Sequence, residues 1–490
     1  MILTIALAQA LVPLGGEAPC GTTDTRRAFA AGDSRDRPAR AEGDGYDTEH
    51  FHIEGDGYEP TEEEYALLGT ILEEVWAHEI DTLGYLTPYG EGLFSVYLEN
   101  MPVGLYGYTG VERDGLTAYV AINPDMRWTG RTTEDAWKVT AAHEFFHAIQ
   151  FEYDYWESGW WMEASATWME DEVYDEVDDY TYYLEEGSWP DYPEISMVAE
   201  NGWHEYGQTI WPHYLHDLHG GAPAIKALWE ACADATILDA SADFFGSDDA
   251  FESALVDFQT RNVLAYAGYD EGASWFPVYT RDVLAEGAAL PATVAPTEYF
   301  SDYLGVNYWR LPLAESGGQD LVVDFTGLPM DDGNTVRWHL ALAGTDGTAW
   351  TTVADTTKDP LSLRLPTAAW TEAWVMVGIL SPVTGVDHDQ YGSNPRYTEN
   401  PPAYTLDVYL AEPLPSDTGD TGDTGDTGAE TDDSGTDDTA TADKLSPGDD
   451  DEAAACGCSG AAMPAAPGWL LGAGLAAVAR LRRRGAVSGR

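Results

Sequence analysis

The chain has 490 residues, with 23 Lys+Arg against 86 Asp+Glu and a formal net charge of −63. That length allows several domains and a deep core, and 44% hydrophobic residues with 18 Trp and 28 Tyr exclude an acidic disordered polypeptide. Nucleic-acid binding is excluded too, because phosphate contacts need clustered Lys and Arg and the dense basic run is the terminal Arg480-Leu481-Arg482-Arg483-Arg484.

In chain order, residues 1–19 hold an apolar run from Ile2 to Leu14 followed by small residues, which reads as a secretory signal peptide. Residues 20–47 are polar and aperiodic, suiting a pro-segment or a disordered lead, so that structure is expected to start near His50. His50-Phe51-His52-Ile53 reads as a strand, and Thr61 with Glu64 forms a capping box for a helix from Tyr65 to Leu83. Phe94 to Leu98 and Leu116 to Ile122 alternate as strands. Helical stretches follow at Trp137–Gln150, Trp161–Val173, Tyr206–Leu218 and Ala222–Ala231. A small sheet followed by helices predicts an α+β domain over residues 48–285. Residues 296–412 turn to alternation (Leu321/Val323/Phe325, Trp338/Leu340/Leu342, Leu406/Val408/Leu410) and predict a separate β-sandwich.

Residues 413–455 carry Asp417, Asp420, Asp423 and Asp426 in a Thr-Gly-Asp repeat. This stretch is an extended, self-repelling acidic spacer, since the three-residue spacing matches no closed Ca²⁺ loop. Residues 456–490 hold Cys456-Gly457-Cys458, an uncharged stretch from Ala461 to Ala479 long enough to cross a bilayer, and the Arg cluster. That order resembles the C-terminal sorting tail of myxobacterial surface proteins. The resemblance implies export, handling by a sorting machinery, and a place at the cell surface or outer membrane. The chain before residue 415 carries 72 acids against 17 bases, near −55, so the acidity belongs to the folded part as well as to the spacer.

Chemistry concentrates at His143-Glu144-Phe145-Phe146-His147. Four residues is just over one helical turn, so both imidazoles share a helix face and can bind one metal ion, with Glu144 placed as general base. A catalytic zinc site needs a third protein ligand and one open position. Trp161-Met162-Glu163-Ala164-Ser165-Ala166-Thr167-Trp168-Met169-Glu170 supplies Glu163 in an apolar setting where an unpaired carboxylate is costly. Glu170, two turns on, suits a partner that orients a ligand imidazole.

Together these segments resemble the gluzincin superfamily of zinc peptidases. Glu163, Ala166, Thr167, Trp168 and Glu170 fall at the offsets of the third-ligand helix in its aminopeptidase branch, with Ala164 where that pattern prefers Gly. The interval from His147 to Glu163 is short for the superfamily and requires a tight turn within Glu152–Trp160. His50-Phe51-His52-Ile53, Glu73-Glu74-Val75-Trp76, Tyr106-Gly107-Tyr108-Thr109 and Tyr206-Gly207 extend the likeness to a group of secreted myxobacterial metalloproteases. The resemblance implies one catalytic Zn²⁺, protein or peptide substrates, and an oxyanion donor from a later helix, for which Tyr206 is the first candidate and His204 the alternate. It also implies a substrate-binding edge strand, for which Ala118–Ile122 is the candidate. No motif before His143 captures a substrate N-terminus, which favours endopeptidase over aminopeptidase action. The rival expectation is an inactive or non-peptide-acting metalloprotein serving as a surface adhesin or binding protein. His213, His216 and His219 cannot all meet one ion on a helix, and Cys232 reads as a small buried hydrophobe.

Overall fold

The capping box forms as expected in a computed structural model of the chain. It describes residues 19–31, 45–112, 114–184, 189–278, 282–283, 290–296, 300–313, 316–327, 336–355, 362–381 and 403–414. The Thr61 side chain accepts from the Glu64 amide while the Glu64 carboxylate accepts from the Thr61 amide at 2.7 Å. The chain divides into two compact units, Met1–Ser416 and Asp417–Arg490. The second unit lies outside the described residues, and with it the tail and all of the spacer reading but residues 413–414, as do residues 1–18 of the leader read over residues 1–19. No helix of the described residues is long and apolar enough to cross a membrane, and the stretch Ala461–Ala479 is not among them.

Order begins earlier than His50. Residues Thr22–Ala30 form helix α1, and strand β1 (Tyr46–Asp47) pairs with β2 (Phe51–Asp56). The polar composition of α1 hid it, because its buried residues are Thr22 and Arg26 rather than an apolar stripe. Helix α2 (Glu62–Trp76) continues into a π-helical turn, Ala77–Thr82. Strands β3 (Phe94–Glu99), β4 (Gly107–Val111) and β5 (Ala118–Ile122) complete a mixed sheet of order β1-β2-β3-β5-β4. β2, β3 and β5 are parallel, whereas β4 runs antiparallel to β5. The edge beside the metal motif is therefore β4, and Ala118–Ile122 is an inner strand. Burial on both faces explains why Ala118–Ile122 reads so strongly as a strand.

Helix α3 (Thr133–Asp154) carries the His-Glu-Phe-Phe-His segment and packs on this sheet. Phe145 meets Phe51 and Phe94 edge-on, each at 5.3 Å, while Phe146 faces Tyr85. The sequence turns within Tyr155–Ser158 into helix α4 (Gly159–Val173), the tight turn that the short interval demands. Glu200 caps α4, accepting from the Gly159 and Trp160 amides at 2.6 and 3.2 Å. Then come α5 (His204–Gly207), α6 (Ile210–His219), α7 (Ala222–Cys232), α8 (Ile237–Phe245) and α9 (Asp248–Val263).

The remaining strands are β6 (Asp282–Val283), β7 (Ala292–Val294), β8 (Val306–Pro312), β9 (Asp320–Gly327), β10 (Trp338–Thr345), β11 (Trp350–Asp355), β12 (Ser362–Pro366), β13 (Glu372–Ile379) and β14 (Tyr404–Ala411). They build two sheets, β11-β10-β13-β8-β6 and β12-β9-β14-β7. Trp338, Leu340, Leu342, Val375 and Leu406 share the apolar core formed by these strands. β6 and β7 precede residue 296, so the β part starts earlier than its composition suggests. It is not a separate body either. Ala341, Ala343, Tyr308 and Met376 belong to the same core as the helices, and Tyr308 donates to the Gln259 carbonyl of α9 at 2.7 Å. Small residues on that face of β10 let the helices approach.

Two measurements probe this packing. Phe145→Ala leaves a cavity between α3 and the sheet and is expected to cost about 3–5 kcal/mol in denaturant unfolding. His339, buried on β10 with neither ring nitrogen partnered among the described residues, has its pKa pushed down by burial to about 3. The unfolded chain therefore takes up a proton near pH 6.5 that the folded chain refuses, and stability present above that pH drains as pH falls towards 3. His339→Leu removes this loss, so its unfolding midpoint should rise relative to the parent as pH is lowered from 7 to 4.

Candidate metal centre

The four donors Cys20, His143, His147 and Glu163 lie within 4.8 Å of one another, all buried. One turn of α3 separates the imidazoles, and their Nε2 atoms are 3.1 Å apart. Glu163 Oε2 is 3.2 Å from His143 Nε2 and 3.4 Å from His147 Nε2, while Cys20 Sγ is 3.5 Å from His147 Nε2. A tetrahedral ion with bonds of zinc length separates N or O donors by about 3.3 Å and a sulfur from a nitrogen by about 3.5 Å. The donor set fits such an ion in type and in spacing.

The surroundings fix which ring nitrogens carry protons. His143 Nδ1 faces the Glu170 carboxylate at 2.7 Å, so it is the N–H and its Nε2 keeps the lone pair. His147 Nδ1 faces Gln150 Oε1 at 2.7 Å. The Gln150 amide cannot be reversed, because its nitrogen donates to the Met162 carbonyl at 3.0 Å and to Ser165 Oγ at 3.1 Å. Ser165 Oγ in turn donates to the Trp161 carbonyl and accepts from Trp229 Nε1. Both Nε2 lone pairs thus converge on one point beside a carboxylate, an arrangement that repels itself unless a proton or a cation lies between them.

The electrostatics agree. Burial pushes the Glu163 carboxyl up, but the two imidazoles overcome it and hold the group well below the usual carboxylate range. Burial pushes His143 down, and its bonds to Glu163 and Glu170 outweigh this and lift it to about 10. Burial raises Glu170 to about 7 against the pull of His143. The cluster therefore attracts positive charge, and a divalent cation would take the place of the shared proton.

Glu144, one residue after the first imidazole, accepts from Thr22 Oγ1 at 3.0 Å, and Thr109 Oγ1 lies 2.8 Å from the same oxygen. Gly107 makes this approach possible. A Cβ there would stand 2.8 Å from the Ala121 carbonyl and 3.1 Å from Glu144 Cγ, so only glycine lets β4 lie against α3. Pro19, Cys20, Tyr106, Glu144, Tyr183 and Tyr206 line a cleft over the donors. Tyr206 stacks 6.2 Å from His143, and its hydroxyl accepts from the Cys20 amide at 3.3 Å. His204 instead bonds Gln208 at 2.8 Å and does not line the cleft.

Of the residues singled out in the sequence, His143, Glu144, His147, Glu163, Glu170 and Tyr206 meet here. Cys20, Thr22, Thr109 and Gln150 were missed. A signal for Cys20 existed in Pro19-Cys20-Gly21, a lone cysteine in a polar lead, but nothing local ties it to a helix more than 100 residues away. His213, His216 and His219 do not converge: His213 packs between Tyr180 and Trp275, His216 against Trp168, and His219 against Tyr214 and Phe245. Cys232 is buried, as expected. Trp160, Trp161, Trp168 and Trp189 are core, and Tyr183 reaches the cleft.

The model of a family of unknown function, DUF6055, matches residues 67–358. The chain belongs to that family. The matched span runs from α2 through His143, His147 and Glu163 and past β11, without Cys20, so the family's unit joins the helical and β parts. No curated protein matches the chain. Among solved structures, one similar chain is described as a novel family GH115 4-O-methyl-alpha-glucuronidase with specificity for decorated arabinogalactans. It is 10% identical, with a TM-score of 0.14, over 57% of this chain and 39% of that one. This chain therefore spans well under half of that enzyme, and a likeness so slight carries no argument.

Replacing Glu170 by Ala frees the His143 ring to rotate and change tautomer. Metal affinity, read by competition with a chromogenic chelator, is expected to fall about 10–100-fold while the fold persists.

Proposed function

We propose that this protein is a zinc-dependent peptidase with a gluzincin-like catalytic part. The observation that carries the reading is the convergence of His143, His147 and Glu163 at tetrahedral donor spacings, with Glu144 beside them and an edge strand, β4, alongside. A site of two imidazoles and one carboxylate suits zinc, and it lies at the base of a cleft whose wall offers strand hydrogen bonds.

When bound, zinc supplies a Lewis acid that acidifies water and polarises a carbonyl. Every other part is protein. The edge peptide groups of β4 would hold an extended substrate by adding a strand once the N-terminal segment bonded to Gly107 and Thr109 leaves them. Glu144 takes the proton of the attacking water and returns it to the departing amine. The phenol of Tyr206, kept protonated because burial pushes its pKa well above the ordinary value, donates to the oxygen that gains charge. Glu170 and Gln150 hold the two imidazoles in register without touching substrate. The leader and tail set the proposed place of work, outside the cell at its surface. The strong negative charge of the folded part keeps such a protein hydrated there.

A second reading has one observation in its favour. With Cys20 the donor set reaches four, the number typical of structural zinc, which suits a surface-binding protein whose ion only ties down the N-terminal segment.

Two measurements decide between them. The full chain is expected to hold one equivalent of zinc, lost in His143→Ala. In a Cys20→Ser background, where the fourth donor is weakened, peptide hydrolysis is expected and should fall about 10³-fold or more on adding Glu144→Gln, with zinc retained. Zinc without hydrolysis in that background would favour the structural reading.

A further inference from the structure

The N-terminal segment does more than pass the site. Cys20 pairs in parallel with Gly107 at the edge of β4. The Tyr106 amide donates to the Pro19 carbonyl at 2.8 Å and the Gly21 amide to the Gly107 carbonyl at 2.9 Å. The Thr109 amide donates to Thr22 Oγ1 at 2.8 Å, and Thr25 Oγ1 donates to the Thr109 carbonyl at 2.6 Å. Residues 20–25 therefore occupy the strand edge that an extended substrate would use.

The same residues engage the chemistry. Thr22 holds Glu144, Thr23 Oγ1 donates to Glu163 Oε1 at 3.3 Å, and the Cys20 amide occupies the Tyr206 hydroxyl. Cys20 Sγ stands with the three other donors, within 4.8 Å of each, and would take the position that hydrolysis needs for water. Arg26 anchors the segment. Arg26 is 1% exposed, and its guanidinium donates to the Tyr155 and Glu157 carbonyls at 2.6 and 2.8 Å and lies over the Tyr155 ring. Phe29 packs edge-on against the same ring.

We propose that Cys20 is a fourth ligand to the ion of this site and that residues 20–31 are a built-in plug, which keeps the site closed until the segment is displaced or cut away. This rests on the metallopeptidase reading above. Coordination releases the Cys20 thiol proton to solvent as the sulfur–metal bond forms. On displacement water takes that position and the sulfur recovers a proton, so no electron changes hands. A tethered segment acts at an effective concentration on the order of mM, enough to exclude substrate even where the isolated contact is weak.

The test uses the full-length chain loaded with Co²⁺, whose thiolate coordination gives a charge-transfer band in the near ultraviolet. The band is expected in the parent and absent in Cys20→Ser with metal still bound. Hydrolysis by the zinc form of Cys20→Ser should exceed the parent's at least about tenfold. Arg26→Ala, which keeps the thiol and loosens its anchor, should weaken the band and hasten thiol modification, and it serves if Cys20→Ser does not fold. Metal binding without a thiolate band in the parent overturns the proposal and leaves the metallopeptidase reading standing. A band with equal hydrolysis by parent and Cys20→Ser overturns the plug. Failure of both proteins to bind metal removes the metallopeptidase reading, and this inference with it.

Discussion

Two imidazoles one helical turn apart are made to offer their lone pairs to a single point, and much of the protein is arranged to keep them there. Left alone, an exposed His-x-x-x-His pair samples rotamers and both tautomers. Here Glu170 on α4 and Gln150 on α3 take the Nδ1 protons, and the Gln150 amide is itself fixed by the Met162 carbonyl and by Ser165. A chain of donors and acceptors that ends on backbone atoms cannot relax without leaving a buried polar group unsatisfied, which costs about 1–3 kcal/mol for each. Glu163, 2% exposed among Trp160, Trp161 and Met162, adds a charge that only positive partners make tolerable.

That constraint explains why the core surrounds α3 instead of lying on one side of it. Phe145 and Phe146, the two intervening residues of the motif, point to the sheet and to Tyr85, while α4 closes the other side with Trp161 stacked on Trp229 at 5.9 Å. The β part continues the same core through Tyr308, Ala341 and Met376. It is better described as a buttress for the helices than as an appended module, in keeping with a family match that crosses the junction.

The edge strand β4 turns its outward peptide groups toward the donors, and those of Gly107 and Thr109 are taken by the N-terminal segment. Natural sheets cover such edges because they recruit other strands. The N-terminal segment supplies the cover and brings hydroxyls and a thiol to the donor cluster, so covering the edge and occupying the site become one event. The cost of burying Arg26 is met by two carbonyls at the α3–α4 turn, which links the plug to the turn that the short interval between His147 and Glu163 requires.

Local chemistry settled the capping box at Thr61, the helix carrying His143, Glu144 and His147, and the partner helix with Glu163 and Glu170. Each of these depends on periodicity within one or two turns, and that information is carried by neighbouring residues. The alternation of β9, β10 and β14 was legible for the same reason, but not that the second face of β10, with Ala341 and Ala343, is buried by helices. Pairing order was not legible. Which of β4 and β5 forms the edge follows from hydrogen bonds between strands, and the glycine that lets β4 meet Glu144 reads like any other glycine. Nor did α1 show itself, since a helix held by Arg26 and threonines has no apolar stripe. The sequence by itself determined the residue types able to hold a metal and the helix that presents two of them. Only the tertiary structure decided that Cys20 stands with them, because bringing it over 100 residues to the donors depends on the edge of a sheet and on no pattern within the chain.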